Sequence, residues 1–244
     1  MEGMKEKLRL DELVLRLGFA PDLKEARALI QLGRVMVDGE MMDKPGRPVA
    51  AAASVTLKEQ ERFVSRGGLK LESALEEFKV EVADKICLDI GASTGGFTDC
   101  LLQHGAKKVY ALDVGKGLID SKIRNNPRVV MIEKFNARNL SPALVPEPIE
   151  LAVADVSFIS LKLILPPLKS VLAQGATALA MVKPQFELPA RLVKKGVVLD
   201  PDLQQQAVEE IANFARELGF QIMGQTKAGV KGPKGNQEYF LFLK

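Results

Sequence analysis

Apolar and polar positions along the chain follow one pattern in the first 60 residues and a different one after them. In the first part, apolar residues recur at helical spacing in two short runs, which end at Gly18 and Gly33. Asp22 is placed to cap the second run. Short apolar runs at 35–37 and 55–57 predict strands, and Asp38-Gly39 is a hairpin turn signal. The pattern predicts a small α+β unit.

From residue 85 onward, nearly continuous apolar runs alternate with amphipathic runs. The predicted strands are residues 86–90, 108–113, 128–132, 149–154 and 177–182, and the predicted helices are residues 96–104, 116–124, 158–173 and 202–218. Such alternation is typical of a parallel sheet with helices on both faces. Two further strands, 220–226 and 239–243, are spaced like an antiparallel hairpin. We predict an α/β, Rossmann-like domain with a mostly parallel, seven-stranded sheet.

These patterns divide the chain into three parts. Residues 1–60 form the small domain, residues 61–84 a linker with a leading amphipathic helix, and residues 85–244 the α/β domain. The linker contains Gly67-Gly68, which breaks any helix that comes from Phe63.

Composition excludes several classes of protein. No uninterrupted apolar stretch reaches the roughly 18 residues of a membrane span, and the N-terminus lacks the apolar core of a signal peptide. We therefore expect a cytoplasmic protein with no membrane partner. Cys87 and Cys100 are predicted to be buried free thiols, and His104, the only histidine, to cap a helix. We expect no metal site.

The positive charge is unevenly distributed. The formal net charge is +3, and residues 1–60 carry ten basic and ten acidic side chains. The excess therefore lies after residue 60, in basic clusters at 107–108, 122–128, 191–195 and 227–234. Such clusters are either solvated surface or contacts to phosphate.

The segment from Leu88 to Asp99 is the most informative part of the chain. A strand leads through glycines 91, 95 and 96 into a helix, and such a turn lets a ligand approach the backbone. Asp113 follows the next predicted strand and can accept hydrogen bonds from ribose hydroxyls.

The spacing of these glycines is neither that of a dinucleotide site nor that of a P-loop. It favours a cofactor with an adenosine and an amino-acid tail, such as S-adenosylmethionine, whose ammonium Asp89 could meet. The alternative is a tight turn with no ligand.

Two charged residues end neighbouring predicted strands. Asp155 follows residues 149–154, and Lys183 follows residues 177–182, so both point to the ligand-binding edge of a parallel sheet. A lysine at the end of a buried strand needs a partner such as Asp155, and a desolvated lysine can serve as a general base. The alternatives are a helix cap for Asp155 and a surface position for Lys183. We also expect Pro184 to force a non-helical exit from the strand.

Long motifs give the chain a family resemblance. They are Ser65–Leu71, Asp89–Asp99, Asp113–Gly115, Asn136–Arg138, Asp155–Leu161, Val182–Glu187 and Gly232–Asn236. With them the chain resembles the TlyA, or haemolysin A, family, which joins an S4 module to an FtsJ-like methyltransferase domain. The resemblance implies S-adenosylmethionine-dependent methylation of a ribose 2′-hydroxyl in ribosomal RNA, at cytidine in 16S or 23S RNA or both.

The resemblance also implies roles for individual residues. The catalytic Lys-Asp-Lys-Glu set of FtsJ-like enzymes carries over onto Lys70, Asp155, Lys183 and Glu238. Lys183 is then the base, Asp155 and Glu238 orient the two lysines, and Lys70 polarises the hydroxyl. The implied cofactor contacts are Asp89, Gly91, Ala92, Ser93, Gly95, Gly96, Phe97, Asp113, Val114, Asn136, Ala137 and Asp155. Lys116 stands where the family often has an aromatic residue.

Residues 8–60 resemble the S4 RNA-binding module through Arg9-Leu10-Asp11, residues 26–30 and residues 33–39. The resemblance implies RNA contacts from Lys24, Arg27 and Arg34, with Arg66 added from the linker. One departure is Asp22-Leu23-Lys24, where the module commonly has Ser-Arg. The alternative is an interaction module with no role in RNA binding.

Three other functions fit the sequence less well. The glycine spacing disfavours a nicotinamide oxidoreductase. A non-catalytic RNA-binding factor would not need the intact four-residue set. A pore-forming haemolysin is suggested only by the family's historical name, and the chain has no spanning segment to support it.

Overall fold

The computed structural model describes residues 6–58 and 62–244, with the side chain of residue 233 left out. The chain divides into two compact units, residues 1–61 and 62–244. The predicted boundary between residues 60 and 61 lies outside the described residues.

Within residues 6–58, the first unit contains two helices and five short strands. In chain order they are β1 (Lys7–Arg9), α1 (Leu10–Arg16), α2 (Leu23–Gln31), β2 (Val35–Val37), β3 (Glu40–Met42), β4 (Pro48–Ala50) and β5 (Val55–Leu57). Strands β3, β2 and β5 form an antiparallel sheet in that order, and β1 pairs with β4. In the buried core, residues of α1 and α2 pack against strand residues such as Val35, Val37, Val49 and Val55.

Both predicted helices of this unit are present, and Asp22 caps α2 by accepting a hydrogen bond from the Glu25 amide at 2.8 Å. The sequence did not reveal β1 and β4, because Lys7–Arg9 has one apolar residue between two charged ones and Pro48–Ala50 begins with a proline, which is typical of a loop.

The second unit is a three-layer α/β domain. Its strands are β6 (Ile86–Ile90), β7 (Lys108–Leu112), β8 (Val129–Ile132), β9 (Ile149–Ala154), β10 (Leu172–Val182), β11 (Ile222–Lys227) and β12 (Tyr239–Leu243). Its helices are α3 (Gly67–Phe78), α4 (Gly96–Gln103), α5 (Ser121–Arg124), α6 (Leu165–Val171), α7 (Pro184–Glu187) and α8 (Pro201–Glu217). Single 3₁₀ turns lie at Ala137–Asn139, Leu161–Leu163 and Ala190–Leu192, and Pro233–Gly235 is a turn in which Lys234 is left-handed.

The seven strands lie in the order β11-β12-β10-β9-β6-β7-β8. The five from β10 to β8 are parallel, and β12 pairs antiparallel with both β10 and β11. The predicted fold class, a mostly parallel seven-stranded sheet with an antiparallel hairpin at one end, is confirmed.

Successive residues of each strand face opposite sides of the sheet and so belong to two separate buried layers. Leu88 and Ile90 of β6 pack with α6 and α8 on one face, whereas Cys87 packs with α3 and α4 on the other. Cys87 and Cys100 are free, buried thiols, and burial raises the pKa of both. His104 is the C-cap residue of α4. The interpretation of these three residues from the sequence is confirmed.

Two predicted helices are shorter than expected. The helix predicted at 116–124 is only α5, because Gly117 has a left-handed backbone (φ +69°) and Asp120 caps a new start. The helix predicted at 158–173 is a 3₁₀ turn followed by α6, because Phe158 is left-handed (φ +62°) and the strand β10 already begins at Leu172.

The expected non-helical exit at Pro184 is wrong. Lys183 is extended, as a residue before proline should be, but Pro184 itself is the first residue of α7. Proline suits this position because the first amide of a helix has no intrahelical acceptor.

No helix in the described ranges, 6–58 and 62–244, is both long and apolar enough to cross a membrane.

Candidate active site

The glycine loop packs closely against the segment that follows β9. The amides of Gly91 and Ala92 both donate to the Leu112 carbonyl, at 2.8 and 3.1 Å. Gly91 is left-handed (φ +88°), and a Cβ there would overlap the carbonyl oxygen of Asp155. A Cβ on Gly96 would overlap the Ser65 hydroxyl. The glycines therefore permit close approach of three chain segments as well as a tight turn.

Two cavities lie on either side of this loop, at the carboxyl ends of the parallel strands. The larger has a volume of about 750 Å³, and the smaller about 220 Å³. Gly91, Ser93 and Asp155 line both of them. The Asp155 carboxylate thus lies between two cavities that one elongated ligand could fill.

The structure distributes the sequence-predicted cofactor residues between these cavities. Lining the larger are Gly91, Ser93, Asp113, Val114, Asn136, Ala137 and Asp155. Lining the smaller are Gly91, Ala92, Ser93, Gly96, Phe97 and Asp155. Asp89 and Gly95 line neither, and Gly95 packs instead towards Ile119.

Asp113, which lines the larger cavity, connects the glycine loop with the segment after β7. Its carboxylate accepts hydrogen bonds from the Ser93 amide at 2.8 Å and the Gly115 amide at 2.7 Å. Asn136 stabilises the neighbouring turn by accepting a hydrogen bond from the Arg138 amide at 3.1 Å. Both polar side chains therefore shape the backbone of the predicted nucleoside pocket.

Asp89 lies beneath the glycine loop and has no exposed surface. The Thr98 hydroxyl donates to one of its carboxylate oxygens at 2.6 Å, and the other oxygen has no hydrogen-bond partner. Burial raises the pKa of Asp89 to about 7. In this position the side chain is hydrogen-bonded to the first turn of α4 and lines neither of the two cavities.

The four predicted catalytic residues form two ion pairs. Lys70 Nζ lies 2.6 Å from Glu238 Oε2, and Lys183 Nζ lies 2.5 Å from Asp155 Oδ1. Glu238 is fully buried, and the side chains of Lys70 and Lys183 are 10% and 8% exposed. Two buried cations are thus neutralised by two carboxylates.

The sheet explains how residues so distant in sequence meet. Asp155 and Lys183 directly follow the neighbouring parallel strands β9 and β10, and Glu238 directly precedes β12. Because β12 runs antiparallel to β10, with Tyr239 opposite Val182, Glu238 lies at the same edge as Lys183. Lys70 comes from the first turn of α3 and shares the smaller cavity with Asp155.

A buried carboxylate on α4 anchors the chain segment before α3. Asp99 accepts a hydrogen bond from the Val64 amide at 2.9 Å and another from Gln103 Nε2 at 3.0 Å. This segment continues through Arg66, which is exposed at the rim of the smaller cavity, to Lys70. Asp99 therefore helps to place the first lysine of the site.

Sequence reasoning missed Ser157 and Glu187. Ser157 Oγ lies 2.9 Å from Lys183 Nζ and is its second partner. Glu187 accepts hydrogen bonds from the Ser160 hydroxyl at 2.5 Å and the Leu161 amide at 2.9 Å, and burial raises its pKa. Glu187 thus ties α7, which follows Lys183, to the loop that follows Asp155. Both residues lie within the quoted motifs, but nothing in their spacing indicated these contacts.

An exposed aromatic side chain was also missed. Phe158 is 90% exposed and lies in the wall of the larger cavity. Its ring centroid is 4.9 Å from that of Phe186, which in turn lies 5.9 Å from Lys183 Nζ. A flat, solvent-exposed ring therefore stands beside the lysine–aspartate pair.

The first unit contains an arginine pair organised by a buried carboxylate. Asp11 has no exposed surface, and it accepts hydrogen bonds from Arg9 Nε and Nη2 and from Arg27 Nε, all within 3.0 Å. The hydrogen bond from Arg9 lowers the pKa of Asp11 to about 2. Arg27 was predicted to contact RNA, but Arg9 was not.

The other predicted RNA contacts differ in their surroundings. Lys24 is exposed on α2, and Arg34 donates from Nε to the Lys58 carbonyl at 2.9 Å.

Among residues 6–58 and 62–244, no group of three or more histidine, cysteine, aspartate or glutamate side chains is placed to hold a metal ion.

Comparison with known proteins identifies both units. The family model described as FtsJ-like methyltransferase matches residues 63–244, and the S4 domain model matches residues 8–54. The 16S/23S rRNA (cytidine-2′-O)-methyltransferase TlyA of Mycobacterium tuberculosis is 43% identical over 99% of this chain and 91% of that protein. Hemolysin A of Brachyspira hyodysenteriae is 41% identical over 95% of this chain and 98% of that protein.

A solved structure of a candidate hemolysin from Streptococcus thermophilus superposes with a TM-score of 0.75 at 40% identity. The match covers 98% of this chain and 89% of that one.

Replacement of Glu187 tests the contact between the two site loops. Glu187→Ala leaves the buried Leu161 amide without an acceptor, so the free energy of unfolding should fall by about 1–3 kcal/mol. Glu187→Gln should lose less, because the amide oxygen still accepts from Leu161. The chain has no tryptophan, and both of its tyrosines, Tyr110 and Tyr239, lie in the second unit. Tyrosine fluorescence during urea unfolding therefore reports on this unit alone.

Glu217→Ala, at an exposed helix end, is the control and should change stability by less than about 0.5 kcal/mol. Equal stability of Glu187→Ala and this control would show that Glu187 does not hold the two loops together.

Proposed function

Because the chain belongs to the TlyA/haemolysin A family of FtsJ-like methyltransferases that carry an S4 domain, we propose that it methylates the 2′-hydroxyl of cytidine in ribosomal RNA. The proposal takes S-adenosylmethionine as the methyl donor. The observation that carries it is the pair of buried lysine–carboxylate contacts, Lys70–Glu238 and Lys183–Asp155, beside a cavity of about 750 Å³.

The residues at the two cavities fit this donor. Gly91, Ser93 and Asp155 line both cavities, so a ligand that spans them would lie against the glycine loop. In this proposal Asp113 meets the ribose hydroxyls, and the segment Phe135 to Ala137 meets the adenine. S-adenosylmethionine supplies an electrophilic methyl group on a sulfonium, and the leaving group is a neutral thioether.

Lys183 is the general base of the proposed reaction. A ribose hydroxyl is a poor nucleophile, so its proton must leave as the oxygen–methyl bond forms. Lys183, once its ammonium has lost a proton to solvent, accepts the proton of the hydroxyl, while Asp155 and Ser157, 2.5 and 2.9 Å away, hold the nitrogen in place. Asp155 then stabilises the ammonium that results.

Lys70 supplies a fixed positive charge. Its ammonium is paired with the buried Glu238, which holds it at the smaller cavity. From this position it can polarise the ribose hydroxyl and neutralise the adjacent phosphate.

Phe158 is proposed to stack on the target base. A nucleotide whose ribose reaches Lys183 must leave its neighbours in the RNA, and an aromatic ring can replace the lost base stacking. Phe158 is the exposed ring at this place, and Phe186 supports it from behind.

The arginine pair of the first unit is proposed to bind RNA phosphates. Asp11 uses one edge of each guanidinium and leaves the remaining donors, including Nη1 and Nη2 of Arg27, for a ligand. The side chains of Arg9 and Arg27 are 50% and 51% exposed, so phosphate can reach them. A loop with Lys44 and Arg47 lies beside Arg9 and adds two further cations.

The role of Lys183 as the general base is tested by Lys183→Ala. Loss of the base should lower the rate of methyl transfer roughly 10²- to 10⁴-fold, while the affinity for S-adenosylmethionine is retained. The assay incubates the full chain with labelled S-adenosylmethionine and separated ribosomal subunits, and maps alkali-resistant linkages. Calorimetric titration measures cofactor affinity.

Lys162→Ala, which removes a surface lysine paired with Glu210, is the matched control and should retain activity. Transfer by Lys183→Ala at the control rate would contradict the assignment of the base. A label on a base would contradict methylation of the ribose.

The stacking role is tested by Phe158→Ala. Loss of one base–aromatic contact, about 1–3 kcal/mol, should raise the KM for RNA roughly 5- to 150-fold and leave cofactor affinity unchanged. Phe158→Trp should restore most of the loss. Leu199→Ala removes an exposed apolar side chain outside both cavities and serves as the control. An unchanged KM in Phe158→Ala would refute the stacking role.

The phosphate contacts are tested by Arg9→Ala and Arg27→Ala. Each should weaken binding of ribosomal RNA and reduce the slope of log affinity against log salt concentration by about one. Arg16→Ala removes an exposed arginine of the same helix as Asp11 and is the control. If all three variants share one salt slope, the arginine pair does not contact phosphate.

A further inference from the structure

We propose that two lysine-bearing turns, residues 191–196 and 231–235, form one surface that binds the phosphate backbone of the RNA next to the methylated nucleotide. We call it the paired-turn surface. The inference rests on the proposed function, because it assumes that RNA occupies the site at Lys183.

The two turns share an unusual backbone. Lys195 and Gly196 are both left-handed, with φ of +52° and +80°, and so are Lys234 and Gly235, with φ of +56° and +82°. The first turn is closed by two hydrogen bonds between Lys194 and Val197, at 3.0 and 2.9 Å. The first left-handed position of such a turn favours asparagine or glycine. Here lysine occupies it twice, at the exposed tip of each turn.

Asn236 holds the two turns together. Its side chain is 4% exposed, donates to the Gly196 carbonyl at 2.9 Å and accepts from the Val198 amide at 3.1 Å. The Lys234 ammonium lies 3.3 Å from the position that a Cβ would take on Gly196. The lysines of the two turns therefore belong to one continuous surface with a defined backbone.

The surface carries concentrated, uncompensated positive charge. Its exposed cations are Arg191, Lys194, Lys195, Lys231 and Lys234. Neither residues 188–199 nor residues 228–237 include an aspartate or glutamate. Within the part of the chain that the structure describes, none of the five cations has an ion-pair partner. Like charges gathered in this way repel one another until a polyanion neutralises them.

The chain connects this surface to the site at both turns. Residues 191–196 follow α7, whose first residue comes directly after Lys183, and Glu238 comes two residues after Asn236. Gly232 of the second turn packs directly against the buried Glu238 carboxylate, so this turn lies next to the proposed ribose site. This continuity favours RNA over an anionic membrane as the partner of the paired-turn surface.

The test compares two double variants with neutral replacements. In Lys194→Gln/Lys195→Gln, the KM for ribosomal RNA should rise about tenfold. The slope of log affinity against log salt concentration should fall by about two, because each lost phosphate contact removes about one unit. The KM for S-adenosylmethionine should stay at the wild-type value. Lys234→Gln alone should lower the slope by about one.

The matched control is Lys85→Gln/Lys107→Gln. These lysines directly precede β6 and β7, so they lie at the amino ends of the parallel strands, opposite the carboxyl ends that hold the site. Direct binding of ribosomal RNA is measured by filter retention, independently of methyl transfer.

Three outcomes separate the hypotheses. Salt slopes and KM values equal to those of the control would overturn the paired-turn proposal while the proposed function stands. Loss of binding to phosphatidylglycerol vesicles with unchanged RNA binding would overturn it in favour of a membrane contact. If wild type binds ribosomal RNA but transfers no methyl group to it, the proposed function fails. The salt slopes of the variants then still test whether the paired-turn surface binds RNA.

Discussion

The need to pair two buried lysines is the constraint around which the second unit is built. An unpartnered ammonium in a protein interior costs several kcal/mol, so Lys70 and Lys183 each require a carboxylate at hydrogen-bond distance. Glu238 and Asp155 meet that need at 2.6 and 2.5 Å. Both pairs form only when the ends of β9, β10 and β12 and the start of α3 come together. The register of the sheet therefore sets the geometry of the site.

Polar side chains that bind backbone groups hold the surrounding loops in place. Asp113 joins the glycine loop to the segment after β7, and Asp99 anchors the segment before α3. Glu187 ties the loop after β9 to α7, and Asn236 joins the two basic turns. Each of these contacts fixes one loop against another at the carboxyl edge of the sheet. A rigid edge is what positioning of a nucleotide substrate requires.

The sequence predicted the long, regular elements well and the short, irregular ones poorly. The strands of the sheet have short apolar runs typical of buried strands, and each lies where a strand was predicted, although β10 begins at Leu172 and not at residue 177. The helices predicted at 116–124 and 158–173 were too long, because Gly117 and Phe158 adopt left-handed backbones. Asp113 and Asn136 were predicted as ligand contacts, and hydrogen bonds show that they also shape their own loops.

The sequence by itself determined the fold class and the glycine loop. It also marked Asp155 and Lys183 as neighbours, because parallel strands end at a common edge. Family motifs added Lys70 and Glu238, which no spacing rule could bring to the site. Only the tertiary structure decided that Ser157 and Glu187 support the lysine–aspartate pair, that Phe158 is exposed beside it, and that two distant lysine turns form one surface. These contacts join residues 26 to 40 positions apart through side chains and turns, and neither periodicity nor composition carries that information.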